Sequence, residues 1–169
     1  MTRAWTARPE TERDIPAIRE VNLAAFPTSL EADLVEALRS DPAWIPGLSV
    51  VAETSDGTIA GYALLTRCLV GEEPALALGP CAVLPGFQKQ GAGSAAIRHG
   101  LDAARAMGEN LVVVLGHAAY YPRFGFTRAS AYGIRPSFEA PDEAMMALVF
   151  DDTLPVPDGT ITYPAPFGV

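Results

Sequence analysis

The chain is short of most features that mark a nucleic-acid, membrane or disulfide-bonded protein. It has two cysteines in 169 residues, Cys68 and Cys81. That is too few for a disulfide framework, and no Cys/His cluster has zinc-ligand spacing, so no metal is expected. Lys and Arg total 12 against 20 Asp and Glu, a net charge of −8. This argues against a general nucleic-acid binder, because neutralising phosphates needs a surplus of cations. An acidic surface favours cationic substrates such as amines. It still admits an anionic cofactor, since backbone amides at a helix start hold phosphate locally. No apolar stretch of signal-peptide type follows Arg3, and no run is long enough to cross a bilayer, so the expectation is cytoplasmic residence with no membrane partner. Repeats and linkers are also missing. The length suits one domain, residues 1–169, with a single sizeable core.

Read in order, the chain alternates strand and helix signals. Thr6 to Pro9 predicts a strand with Trp5 as its apolar anchor. Asp14 is a candidate N-cap for an amphipathic helix to Ala25, with Ile15, Ile18, Val21, Asn22 and Ala25 at helical spacing. Pro27 stops it. Thr28 or Ser29 caps a second helix whose apolar stripe is Leu30, Leu34, Ala37 and Leu38. Its acids Glu31, Asp33 and Glu36 read first as a solvated face. Leu48–Glu53 and Thr58–Arg67 form a hairpin around Ser55-Asp56-Gly57, and Gly61 marks a bulge or a close neighbour. Ala75–Leu84 is a fourth strand, interrupted by Gly79-Pro80, where regular pairing should fail. Leu111–Leu115 is apolar throughout, as a central strand buried on both faces would be. Tyr132–Arg135 and Met145–Phe150 read as further strands, joined by Pro136–Asp142. The tail, 152–169, is irregular, with one short strand near Ile161–Tyr163.

The informative stretch lies between Leu76 and Phe126. A strand leads into Gln88-Lys89-Gln90-Gly91-Ala92-Gly93, and a helix follows from Ser94 to Met107. Glycines let ligand atoms approach the backbone. The first N–H groups of the helix point outward with positive partial charge, a ready anion site. The helix turns Ala96, Ile97, Gly100, Leu101 and Ala104 toward the sheet. Lys89 and Arg98 are the nearest cations. After the fifth strand comes Tyr120-Tyr-Pro-Arg-Phe-Gly-Phe126.

Three motifs in order carry a resemblance. Cys81-Ala82-Val83-x-Pro85, Gln88-x-x-Gly91-x-Gly93 and Tyr121-x-x-x-Gly125-Phe126 together resemble the GNAT N-acetyltransferase superfamily, in particular a small bacterial branch. The resemblance implies an α/β (α+β) fold: a mixed, mostly antiparallel sheet of about six to seven strands, about four helices, and a bulged, splayed fourth strand. It implies acetyl-CoA as acyl donor. Cys81, Ala82 and Val83 would meet the pantetheine arm through main chain, with Gln88, Lys89, Gln90, Gly91, Ala92, Gly93 and Ser94 around the pyrophosphate. It further implies acetyl transfer to a primary amine by direct attack, with the Val83 N–H facing the thioester oxygen. Phe26 to Glu36 and the Pro136–Asp142 loop would then border the amine site.

Tyr121 is the candidate acid, because a phenol with an unperturbed pKa of about 10 keeps its proton at neutral pH and can give it to a thiolate. The base is less legible. Many relatives carry a Glu on the fourth strand, but Ala75 to Val83 holds no acid, and Glu72 and Glu73 precede it. His117, just after the fifth strand, is one candidate; a water chain is another. Other readings stay open. Without turnover, the chain would be a silent acyl-CoA-binding module. Gly91-x-Gly93-x-x-Ala96 nominally fits a dinucleotide fingerprint, but Leu84 to Gln90 intervene before it, and no acid ends the next strand, where Leu115 is followed by Gly116-His117. A Cys81–His117 thiol enzyme would need an exposed thiol. The acceptor's size, whether small molecule, peptide or protein, and a homodimeric state are not legible.

Overall fold

The computed structural model describes residues 4–169. Nine strands form one sheet system: β1 (Thr6–Pro9), β2 (Ser49–Glu53), β3 (Ile59–Val70), β4 (Glu73–Val83), β5 (Leu111–Leu115), β6 (Thr127–Arg128), β7 (Ile134–Arg135), β8 (Met145–Val149) and β9 (Gly159–Thr162). Three α-helices accompany them among the described residues: α1 (Ile15–Ala25), α2 (Leu30–Arg39) and α3 (Ala92–Ala106). The sheet order is β1-β2-β3-β4-β5-β8-β6, with β9 on the far end of β3 and β7 on β9. Only β4–β5 and β7–β9 are parallel. The strand number exceeds the six to seven expected because β6 and β7 are two residues each, too short to leave a periodic signature. Where a fourth helix was expected there are single 3-10 turns.

Each face of the sheet is covered. Val112 and Val114 of β5 face a core shared with Ala96, Ile97, Leu101 and Ala104 of α3. Leu111 and Val113 face the opposite side, against Ile134, Met145 and Ile161. That double burial explains why β5 is apolar at every position. A buried side chain such as Ile97 contributes about 1.5–3 kcal/mol, so α3 is fixed to the sheet along its whole inner face. The helix also comes unusually near β3. A Cβ on Gly61 would stand 2.8 Å from the Ala92 carbonyl oxygen, so glycine there lets the start of α3 touch the strand.

Two local expectations need correction. Asp14 precedes α1, but its carboxylate does not cap that helix. It accepts from the Thr11 N–H at 2.7 Å and from the Arg8 guanidinium at 2.7 and 3.0 Å. Charge-assisted bonds to Arg8 outcompete the helix amides. On α2, the core face is Ala32, Val35 and Leu38. Of the expected stripe Leu38 is buried in it and Leu34 packs against it partly buried, while Leu30 is 71% exposed. The helix is apolar on two sides, and the second side, with Leu34, borders a cavity described below.

The break at Gly79-Pro80 has the expected effect. The β3–β4 register passes from Leu65↔Leu78 to Ala63↔Cys81, leaving Gly79 and Pro80 together opposite Leu64. On the other side, β4 pairs with β5 only through Leu76, Ala77 and Leu78. Beyond Leu78 the two strands separate while β4 continues beside β3 to Val83.

Candidate functional site

The gap between β4 and β5 opens onto a cavity of about 830 Å³. Its walls come from three segments that are distant in sequence. Cys81, Ala82 and Val83 supply the freed edge of β4. Gln88 to Ser94 supply the turn and the first turn of α3. His117, Tyr120, Tyr121 and Arg123 supply the segment after β5. Every residue expected to meet the acyl donor from Cys81 to Ser94, together with Tyr121 and His117, lines this one space.

The turn has a defined shape. Lys89, the only lysine of the chain, has φ 61° and Gly91 has φ 91°. The second of these positive angles is what glycine accepts without penalty. The Ala95 N–H makes a helical bond to the Gly91 carbonyl at 2.9 Å, so the amides of Ala92, Gly93 and Ser94 lie in the first turn, ahead of any intrahelical acceptor. Trp5 holds the turn from outside. Its indole N–H donates to the Gln90 carbonyl at 2.7 Å, and its ring meets Phe87 edge-on at 5.9 Å. The Tyr120 hydroxyl shares a hydrogen bond of 2.9 Å with Ser94 Oγ. Of the two cations expected nearby, Lys89 lines the cavity. Arg98 instead stacks over Phe124, 4.9 Å from the ring centroid. The second cation at the cavity is Arg123, held over Tyr120 at 4.3 Å and bonded to the Tyr120 carbonyl at 2.9 Å.

A second cavity, about 430 Å³, lies on the other side of the gap. Phe26, Cys81, His117 and Tyr121 belong to both walls, so the two spaces meet at these side chains. Tyr121 is half-buried, edge-on to Tyr120 at 5.1 Å and to Phe126 at 5.9 Å. Burial and the neighbouring Cys81 raise its hydroxyl above the ordinary phenol value. Burial pushes the Cys81 thiol up to about 12, and its hydrogen bond with Tyr121 offsets part of that rise. A thiol held protonated is a poor nucleophile at neutral pH, which argues against the Cys81–His117 thiol reading. His117 is exposed at the junction, and its carbonyl receives the Tyr120 N–H at 3.0 Å. Glu73 pairs with Val70 at the opposite end of β4, away from the gap. Among the described residues no group of His, Cys, Asp and Glu could hold a metal ion, and no helix is long and apolar enough to cross a membrane.

Phe26, at the start of the segment expected to wall the amine site, lines both cavities. Sequence reading missed three contributors. Trp5 gives only a strand-anchor signal. Arg123 lies inside the Tyr120–Phe126 segment, with no signal that singles it out. Gly116 is the third: a Cβ there would stand 2.3 Å from Tyr121 Cε2. Its only signal was a glycine directly after a strand.

The comparisons agree with this geometry. The Escherichia coli (strain K12) protein "Uncharacterized N-acetyltransferase YjhQ" is 44% identical over 117 residues, 67% of this chain and 64% of that protein. This match thus spans less than two thirds of that relative's length. "Uncharacterized N-acetyltransferase YhbS" of Escherichia coli (strain K12) is 31% identical over 159 residues, covering 92% of this chain and 94% of that one. The crystal structure of YhbS from Escherichia coli in complex with CoA superposes with a TM-score of 0.91 at 27% identity, over 100% of this chain and 94% of that chain. A GNAT family acetyltransferase from Brucella melitensis in complex with acetyl-CoA gives 0.79 at 32% identity, over 97% and 98%. A mostly antiparallel sheet and these neighbours overturn the dinucleotide reading. The profile of the acetyltransferase (GNAT) family matches residues 15–126, and with a splayed β4 feeding a glycine turn and α3, the chain belongs to that family.

Proposed function

We propose that this chain moves an acetyl group from acetyl-CoA to a primary amine by direct attack, without a covalent enzyme intermediate. The observation that carries the reading is the meeting of two cavities at the β4–β5 gap. One is bordered by the freed strand edge and the glycine turn, the other by apolar side chains. The relatives with CoA or acetyl-CoA bound support the choice of donor.

The first cavity fits such a donor. The Ala92, Gly93 and Ser94 amides, with the positive end of α3, suit a pyrophosphate. Lys89 and Arg123 add charge at its mouth. The edge of β4 at Cys81 to Val83 has no strand partner on the β5 side among the described residues, and suits an amide-bearing arm added like a strand. Acetyl-CoA supplies an activated thioester, whose C–S bond breaks as the C–N bond forms. In this proposal the Val83 N–H donates to the developing oxyanion. Tyr121 gives its proton to the departing sulfur. His117, at the junction, takes the proton lost by the amine.

The test is calorimetric titration with acetyl-CoA, with NAD as control. Micromolar binding of acetyl-CoA alone, lost when Gly91 is replaced by a bulky residue, supports the reading; no binding ends it. β4 has no acid near the gap, which favours a second reading, a silent acyl-CoA-binding module. Thiol release with any amine would eliminate that module.

A further inference from the structure

The second cavity has a composition that selects its occupant. Phe26, Phe138, Tyr163 and Phe167 give it aromatic walls, and Glu31 is the one carboxylate side chain among the described residues lining it. No Lys or Arg lines it. The tail closes it: Tyr163 packs on Phe138 at 5.9 Å and on Phe167 at 5.4 Å.

Glu31 differs from its helix neighbours. Asp33 and Glu36 both pair with Arg19, at 3.0 and 3.2 Å. Glu31 has no ion pair among the described residues, and its Oε1 is buried without a hydrogen-bond partner. A buried carboxylate oxygen without a donor is costly. Glu31 is therefore an acid without a side-chain counter-ion among the described residues, on the wall of an apolar, aromatic space, and a cation seated there would supply one. Aromatic faces attract the same kind of ligand.

This cavity lies between the two segments expected to border the amine site, Phe26–Glu36 and Pro136–Asp142, and we propose that it takes a primary ammonium with an apolar or aromatic body and no carboxylate, with Glu31 as the residue that selects it. This rests on the acetyl-transfer reading above. A free amino acid is disfavoured, because its carboxylate would enter a space with an acid and no Lys or Arg, whose one basic side chain, His117, is the group proposed to take the amine's proton. The unpaired Glu31 and the aromatic tail, rather than the helix as a whole, make the specificity.

The experiment uses the full chain saturated with CoA, titrated with phenethylammonium and, separately, with phenylalanine. Acetyl-CoA binding is measured alongside, so failure of the donor reading registers by itself. The expected result is binding of phenethylammonium alone, weakened about tenfold or more in Glu31→Gln, as for loss of a charge-assisted contact. Acetyl-CoA affinity stays unchanged in that variant. In turnover, Glu31→Gln raises KM for phenethylamine more than it lowers kcat, the pattern of lost recognition. Glu31→Gln is isosteric, and the buried oxygen it alters has no hydrogen-bond partner, so folding is not at stake; a melting curve checks this. The proposal is overturned by equal binding of phenylalanine, by phenethylammonium binding that ignores Glu31→Gln, or by intact acetyl-CoA binding with no phenethylammonium binding.

Discussion

The ring of Tyr121 rests on the backbone of Gly116, so closely that an added Cβ would stand 2.3 Å from Cε2 and 3.0 Å from Cδ2. The ring that separates the two cavities is therefore positioned by the absence of a side chain one residue beyond β5. Gly116→Ala forces that ring to move. The fold should survive at a cost of about 1–3 kcal/mol, the range for overpacking, read as a drop in melting temperature. Turnover should fall much more than acetyl-CoA affinity, because Gly116 does not line the cavity proposed for the donor.

Tyr121→Phe separates packing from proton transfer. The ring contacts with Tyr120 and Phe126 persist, so binding of acetyl-CoA measured by calorimetry should stay unchanged. The rate should drop by about 10²-fold or more, as for loss of a general acid. Since the hydroxyl is raised above its ordinary value, the wild-type rate should show no alkaline decline from this group below about pH 10. Unchanged turnover in the variant would remove Tyr121 from the mechanism.

Trp5→Phe keeps an aromatic ring against Phe87 but deletes the N–H that holds the Gln90 carbonyl. A neutral hydrogen bond contributes about 0.5–1.5 kcal/mol. The donor should therefore bind about three- to tenfold more weakly, with little change in kcat at saturation, since the loop is loosened and the reacting centre untouched.

Asp14 links stability to acid. The Arg8 guanidinium, then the Thr11 amide and hydroxyl, hold its carboxyl well below the ordinary carboxylate range, against the opposing effect of burial. Its folded value thus lies below its unfolded one. Its stabilisation is complete above about pH 4–5 and is lost as pH falls toward the folded value. Asp14→Asn should cost about 1–3 kcal/mol at pH 7. Denaturation curves for the variant and the wild type should converge as the solution is acidified.

Cys81 offers a chemical check. With its thiol pushed up to about 12, alkylation by iodoacetamide at pH 8 should run far more slowly than for a free cysteine of about 8.5. Rapid labelling at Cys81, located by mass spectrometry, would restore a reactive thiol to the site.

Local chemistry in the sequence determined much of this protein. The glycine turn, the apolar run of β5, the inner face of α3 and the interruption at Gly79-Pro80 are each written in a few contiguous residues, because propensity, backbone freedom and a missing amide act locally. The GNAT motifs lie in that same continuous stretch, which is why the residues that line the first cavity were legible. Tertiary structure decided the rest. Only packing could select Ala32, Val35 and Leu38 over Leu30 and Ala37 as the buried face of α2, since both rows are apolar. Only the folded chain brings Trp5 to Gln90, Gly116 under Tyr121, and the tail residue Tyr163 to Phe138. These contacts join residues far apart in sequence or depend on a side chain's direction. The same holds for Glu31. In sequence it is one of three acids on a helix. In the fold Arg19 reaches Asp33 and Glu36 and leaves Glu31 unpaired beside an aromatic cavity, because charge compensation is a matter of distance in space.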